Sequence, residues 1–113
     1  MAILTKTITL DYDVTEGSTT FDLALDLSRF TRIFIQVNYT DLDVGDSTIE
    51  LITSLDNTRF ATITGTSLAL DIGATQMNYW DLSDLNASRI KLSYTHGTSE
   101  AGTIEKIFIL AKE

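Results

Sequence analysis

Apolar and polar residues alternate with a period of two along most of this chain. In FDLALDL, Phe21, Leu23, Leu25 and Leu27 fall on one face and Asp22, Ala24 and Asp26 on the other, which is the pattern of a strand with one buried side. RIFIQVNY sends Ile33, Ile35, Val37 and Tyr39 inward against Arg32, Phe34, Gln36 and Asn38. SRIKLSY sends Ile90, Leu92 and Tyr94 inward against Arg89, Lys91 and Ser93. Three strands of this kind imply an antiparallel sheet with one wet face. They also nominate a core of Leu23, Leu25, Ile33, Ile35, Val37, Ile90, Leu92 and Tyr94.

Weaker strands are predicted over residues 3–10, 47–53, 58–64, 66–71, 76–82 and 102–110. TEGST, SLDNT, TGTS, DIGAT and HGTSEAG supply turn residues between strands. No window keeps a helical apolar period for three turns, although DLSDLNAS has the residues for a single turn before Arg89. The expected fold is all-β: one domain over 1–113, built as an antiparallel two-sheet β-sandwich of about eight to nine strands with jelly-roll or Greek-key connections. The chain has no proline, so its edge strands need charge, bulges or pairing with another chain for protection.

The last strand breaks the simple rule. Strict alternation in GTIEKIFIL sets Ile104, Lys106, Phe108 and Leu110 against Glu105, Ile107 and Ile109, so either both faces are covered or the register slips. A β-bulge at Glu105 and Lys106 gathers Ile104, Ile107 and Ile109 inward and leaves Phe108 outward. Phe34 also lies on the polar side of its strand, and Phe34 and Phe108 are therefore the candidate interface residues.

Composition narrows the function. The formal net charge is −8 with 8 basic residues scattered along the chain, which disfavours a phosphate backbone and so a nucleic-acid partner. Without cysteine there is no disulfide framework, thiol nucleophile or thiolate metal site. MAILTKTITL lacks the layout of a secretion signal and no later stretch reaches membrane-spanning length, so no membrane association is expected. The triplets at Asn38 and Asn86 are glycosylation acceptors only in a secretory setting.

DLDVGDS, residues 41–47, places Asp41, Asp43 and Asp46 around Gly45. A helix-loop-helix calcium loop needs an oxygen ligand at its fifth position, glycine at the sixth and glutamate at the twelfth. Counted from Asp41 those are Gly45, Asp46 and Ile52. The flanking β-branched strands also contradict the flanking helices of that motif, so the stretch reads as a turn between strands that binds no metal tightly.

His96 is the single histidine, and no G-x-S-x-G elbow or phosphate-cradling glycine loop accompanies it. It can neither form a zinc set alone nor complete a visible triad. Carboxylate pairs for glycoside hydrolysis could be drawn from any acidic protein. No catalytic residue, metal or cofactor is therefore expected. In MNYWDL, Tyr79 and Trp80 are a candidate ligand-stacking pair for a glycan, but the strand register points them to opposite faces, so one of them belongs to the core.

A wider pattern runs through RIFIQVNYT, IELITSLDNTRFATI (49–63) and YWDLSDLNASRIKLSYTHGTSEAGTIEKIFIL (79–110). It comprises an apolar strand, a serine-x-aspartate turn followed by an aromatic (Ser54, Asp56, Phe60), a tryptophan strand, a short DL connection, an Arg-apolar strand, a Gly/Ser/Thr loop and a final apolar strand. This resembles small β-sandwich structural or decoration proteins of tailed-phage virions. The serine-x-aspartate turn and the Arg-apolar strand are shared with galactose-binding discoidin-like sandwiches, from which the chain departs by its shortness and lack of cysteine.

The phage resemblance implies a virion location and a non-enzymatic protein of the capsid, neck or tail. Such a protein works by binding copies of itself, as a trimer by the same resemblance, and neighbouring virion proteins. The alternative expectation is a small carbohydrate-binding module.

Overall fold

The computed structural model describes residues 3–23, 30–54, 56, 58–70, 72–73, 76–83 and 89–113. Nine strands follow one another: β1 (Ile3–Asp13), β2 (Thr19–Asp22), β3 (Arg32–Thr40), β4 (Thr48–Ser54), β5 (Ala61–Thr62), β6 (Leu68–Ala69), β7 (Met77–Ser83), β8 (Arg89–Thr95) and β9 (Thr103–Lys112). A 3-10 turn, Val14–Glu16, joins β1 to β2. Leu25 and Leu27, the second half of the strand expected from Phe21, lie outside the described residues, as does most of the turn expected in DLSDLNAS.

One sheet has the order β1-β9-β3-β7 and the other β2-β8-β4-β5, with β6 also paired to β4. The pairs β1·β9, β2·β8, β3·β7 and β4·β5 nest inside one another like a long folded hairpin, all antiparallel. Rolling that hairpin adds the contacts β3·β9 and β4·β8 and closes a jelly roll.

The two inner faces supply the core. Ile33, Ile35, Val37 and Tyr39 of β3 and Ile104, Ile107, Ile109 and Ala111 of β9 meet Ile49 and Leu51 of β4 and Ile90, Leu92 and Tyr94 of β8, all buried. Leu23 joins them. Every described member of the core predicted from alternation is thus inside.

The bulge in β9 is present. Asn38 pairs with Lys106 and Tyr39 with Ile104, so Glu105 is the extra residue. β1 answers with its own irregularity between Thr9 and Tyr12, where Asp11 takes a positive φ of 48°. The extra residue restores Ile104 to the inner face, which Ile107 and Ile109 already occupy.

β5 and β6 are each two residues long, against the longer strands expected over 58–64 and 66–71. Between them the chain is held by Thr66 instead of a ladder. Its buried hydroxyl accepts from Leu51 N–H at 3.1 Å and donates to Ile63 carbonyl at 2.7 Å. At the sheet edge, Lys6 of β1 falls between Leu4 and Ile8, which pack on the core, and opposite inward Ile109. An inward-facing charge on an edge strand discourages pairing with another chain.

Candidate functional site

The outer faces of the two sheets differ in chemistry. On the five-stranded sheet the outward rows are Thr20–Ser93–Glu50 and Asp22–Lys91–Ile52–Thr62, a mostly polar surface in which Lys91 Nζ stands 4.3 Å from the Phe60 ring centre. On the four-stranded sheet, the rows from β1 across β9 and β3 to β7 are Thr5–Leu110–Phe34–Asp81 and Thr7–Phe108–Gln36–Tyr79. These two rows bring Leu110, Phe34, Phe108 and Tyr79 together. Between them lies a shallow groove of about 300 Å³.

Phe108 is 36% exposed and Tyr79 51%. Ile3, 61% exposed, stands one row beyond them, in Ile3–Lys112–Arg32–Ser83. That row and the opposite one, Thr9–Lys106–Asn38–Met77, place cations at both ends of the groove. The Arg32 guanidinium carbon is 4.9 Å and Lys112 Nζ 6.0 Å from the Phe34 ring centre, within reach of its π-face. Arg32 also forms an ion pair with Asp81 at 3.0 Å. The face therefore holds three cations, Arg32, Lys106 and Lys112, to the carboxylates of Asp81 and the bulged Glu105, in a chain whose formal charge is −8.

The candidate interface residues Phe34 and Phe108 are neighbours across this face. The stacking pair divides: Trp80 is 5% exposed and its Nε1 donates to Thr66 carbonyl at 2.8 Å, leaving Tyr79 alone outside. Burial of the indole with its N–H satisfied is the ordinary state of a core tryptophan. Leu110 and Ile3 were not among the candidate interface residues. Alternation past the bulge already set Leu110 on the side of Phe108.

The acidic stretch 41–47 is the connection from β3 to β4, and its carboxylates accept hydrogen bonds from the β8–β9 connection. Asp46 accepts from Thr98 N–H at 2.9 and 3.0 Å and from the Thr98 hydroxyl. Asp43 accepts from Glu100 N–H at 3.1 and 3.2 Å. Ser99 returns a bond to Val44 carbonyl at 2.8 Å, and buried Ser47 Oγ accepts from Gly97 N–H at 3.0 Å. The Thr98 hydroxyl and N–H together hold the Asp46 carboxyl below its usual range. Among the described residues no three potential ligands gather to hold a metal.

His96 lies in the same clasp, with Nδ1 2.9 Å from Tyr94 Oη, which is itself 3.1 Å from Ser47 Oγ. Its backbone N–H donates to Ser18 Oγ at 2.9 Å. The serine-x-aspartate turn is likewise structural: Asp56 accepts from Thr58 and Arg59 N–H and from Ser54 Oγ, which together bring its pKa down to about 2.

No protein-family model matches the chain, and no curated protein matches it. Among solved structures the chain is similar to a mitogen derived from Yersinia pseudotuberculosis, at 12% identity and a TM-score of 0.47, over 98% of this chain and 83% of that one. At that score the likeness carries no argument about family or function.

Proposed function

We propose that this protein is a non-enzymatic assembly subunit that associates with copies of itself through the outer face of the four-stranded sheet. A structural role in a phage virion, as the sequence resemblance implies, is the setting we propose for it, with capsid, neck or tail proteins as further partners. The observation that supports the reading is the cluster of Phe34, Phe108, Tyr79 and Leu110 on one outer face. An apolar cluster rimmed by charged residues is the usual composition of a contact surface. Burying such side chains is favourable at roughly 25 cal/mol per Å² before the cost of association.

The test is the mass of the purified protein in solution. Wild type is expected as an oligomer at tens of micromolar and Phe108→Glu as a folded monomer. A wild type that stays monomeric contradicts the reading.

One observation favours a small carbohydrate-binding module as the second reading. Tyr79 presents a half-exposed ring on the strand position paired with Gln36, whose amide bonds to Asn38 at 2.8 Å, and such a ring offers an apolar face with a polar tip. Tyr79→Ala would then abolish binding on a glycan array. An array with no bound glycan removes that reading.

A further inference from the structure

The large apolar side chains that stand exposed among the described residues are Ile3, Tyr79, Phe108 and Ile72. The first three share the outer face of the four-stranded sheet. Ile72, 48% exposed, lies elsewhere, against the acidic turn: its Cγ2 is 3.6 Å from the position a Cβ would take at Gly45.

Charge separates the same two regions. Asp11, Asp13, Glu16, Asp41, Asp43, Asp46 and Glu100 all sit at one end of the sandwich, where β1 and β3 finish and β9 begins. They make up 7 of the 16 acidic residues of the chain. The outer face carries Arg32, Lys106 and Lys112, with Asp81 paired to Arg32 and the bulged Glu105 next to Lys106.

We infer that copies of this chain associate head to tail, the acidic turn of one copy seating Ile72 in the apolar groove of the next. The inference rests on the reading that the outer face serves self-association, and adds what occupies it. Packing that face against its own image would set its cation excess, three cations to the carboxylates of Asp81 and Glu105, against the same excess, an arrangement that like-charge repulsion opposes. The acidic end offers the opposite sign, and Ile72 offers the apolar projection that the groove between Phe34, Phe108 and Tyr79 can cover.

The turn that Ile72 packs against is held in shape by bonds from Thr98 and Glu100 N–H to Asp46 and Asp43. Two unlike surfaces make a heterologous contact, which builds a ring where the rotation closes and a filament where it does not.

The experiment pairs two variants, Phe108→Glu on the face and Ile72→Asp beside the turn, each checked for native near-ultraviolet circular dichroism. Tyr79→Glu replaces Phe108→Glu should that variant not fold. Each variant alone is expected to be monomeric where wild type assembles. Mixed in equal amounts, they are expected to form a one-to-one pair of twice the monomer mass, because Ile72→Asp keeps an intact face and Phe108→Glu an intact turn. If Ile72→Asp assembles alone as wild type does, or the mixture stays monomeric, the head-to-tail contact is overturned while the face keeps its role. If Phe108→Glu and Tyr79→Glu both assemble as wild type does, the face itself is overturned as the contact surface.

Discussion

Asp46 and Asp56 show why an acidic turn in a sequence is hard to assign. Each accepts from backbone N–H in a turn, but the donors of Asp56 are two and three residues away, and Thr98, the donor to Asp46, is 52. The first arrangement is legible as an aspartate turn; the second needs the fold. Both carboxyls sit below their ordinary range, Asp56 at about 2. A carboxyl whose folded pKa is depressed adds stability above its unfolded value near 3.8, lost as pH falls through the folded value. The melting temperature is therefore expected to drop between pH 4 and about 2. Asp56→Ala should flatten that drop, and an unchanged profile would show that the turn contributes nothing. Because Asp43 and Asp46 already accept N–H donors, calcium is expected to leave the melting temperature unchanged. Gly97 is a further test of the clasp. A Cβ there would meet the Asp46 carboxylate and backbone, so Gly97→Ala should lower the melting temperature, and a neutral result would mean the loops part easily.

At the scale of strands, alternation was a faithful guide wherever one face is buried and the ladder is continuous. β3 and β8 follow it, with Ile35 and Leu92 fully buried. Truncating either to alanine is expected to cost about 2–5 kcal/mol in chemical denaturation, from lost transfer energy and the cavity left behind. It misled over 58–71, where Thr66 satisfies Leu51 with a hydroxyl and the chain needs only short pairings. A hydroxyl doing the work of a strand leaves no periodic trace. The β9 irregularity was legible because Ile104, Ile107 and Ile109 cannot share a face without an extra residue. Deleting Glu105 should therefore force Ile104 outward, or Ile107 and Ile109, since one residue exchanges the faces of a strand. Loss of the cooperative unfolding transition is expected; a variant as stable as wild type would mean that β9 can slide along its partners.

The whole molecule is an acidic sandwich with one outer face that is apolar and edged by cations. Phe34 and Phe108 marked that face in the sequence. Its extent was not legible, because the register of β1, β9, β3 and β7 brings together residues from opposite ends of the chain: Ile3, Phe34, Tyr79 and Leu110. Likewise Trp80 and Tyr79 were separable by alternation, but which of them turns inward depends on the pairing of Ile35 with Trp80. Association between opposite charges slows as salt screens them beyond about 8–10 Å, so assembly is expected to be slower in high salt while the burial of apolar side chains persists. The most direct measurement is hydroxyl-radical footprinting of Tyr79 and Phe108 across a dilution series, with solution mass read in parallel. Protection of both rings rising in step with mass is the expected result. Rings equally modified in monomer and assembly would contradict the assignment of this face.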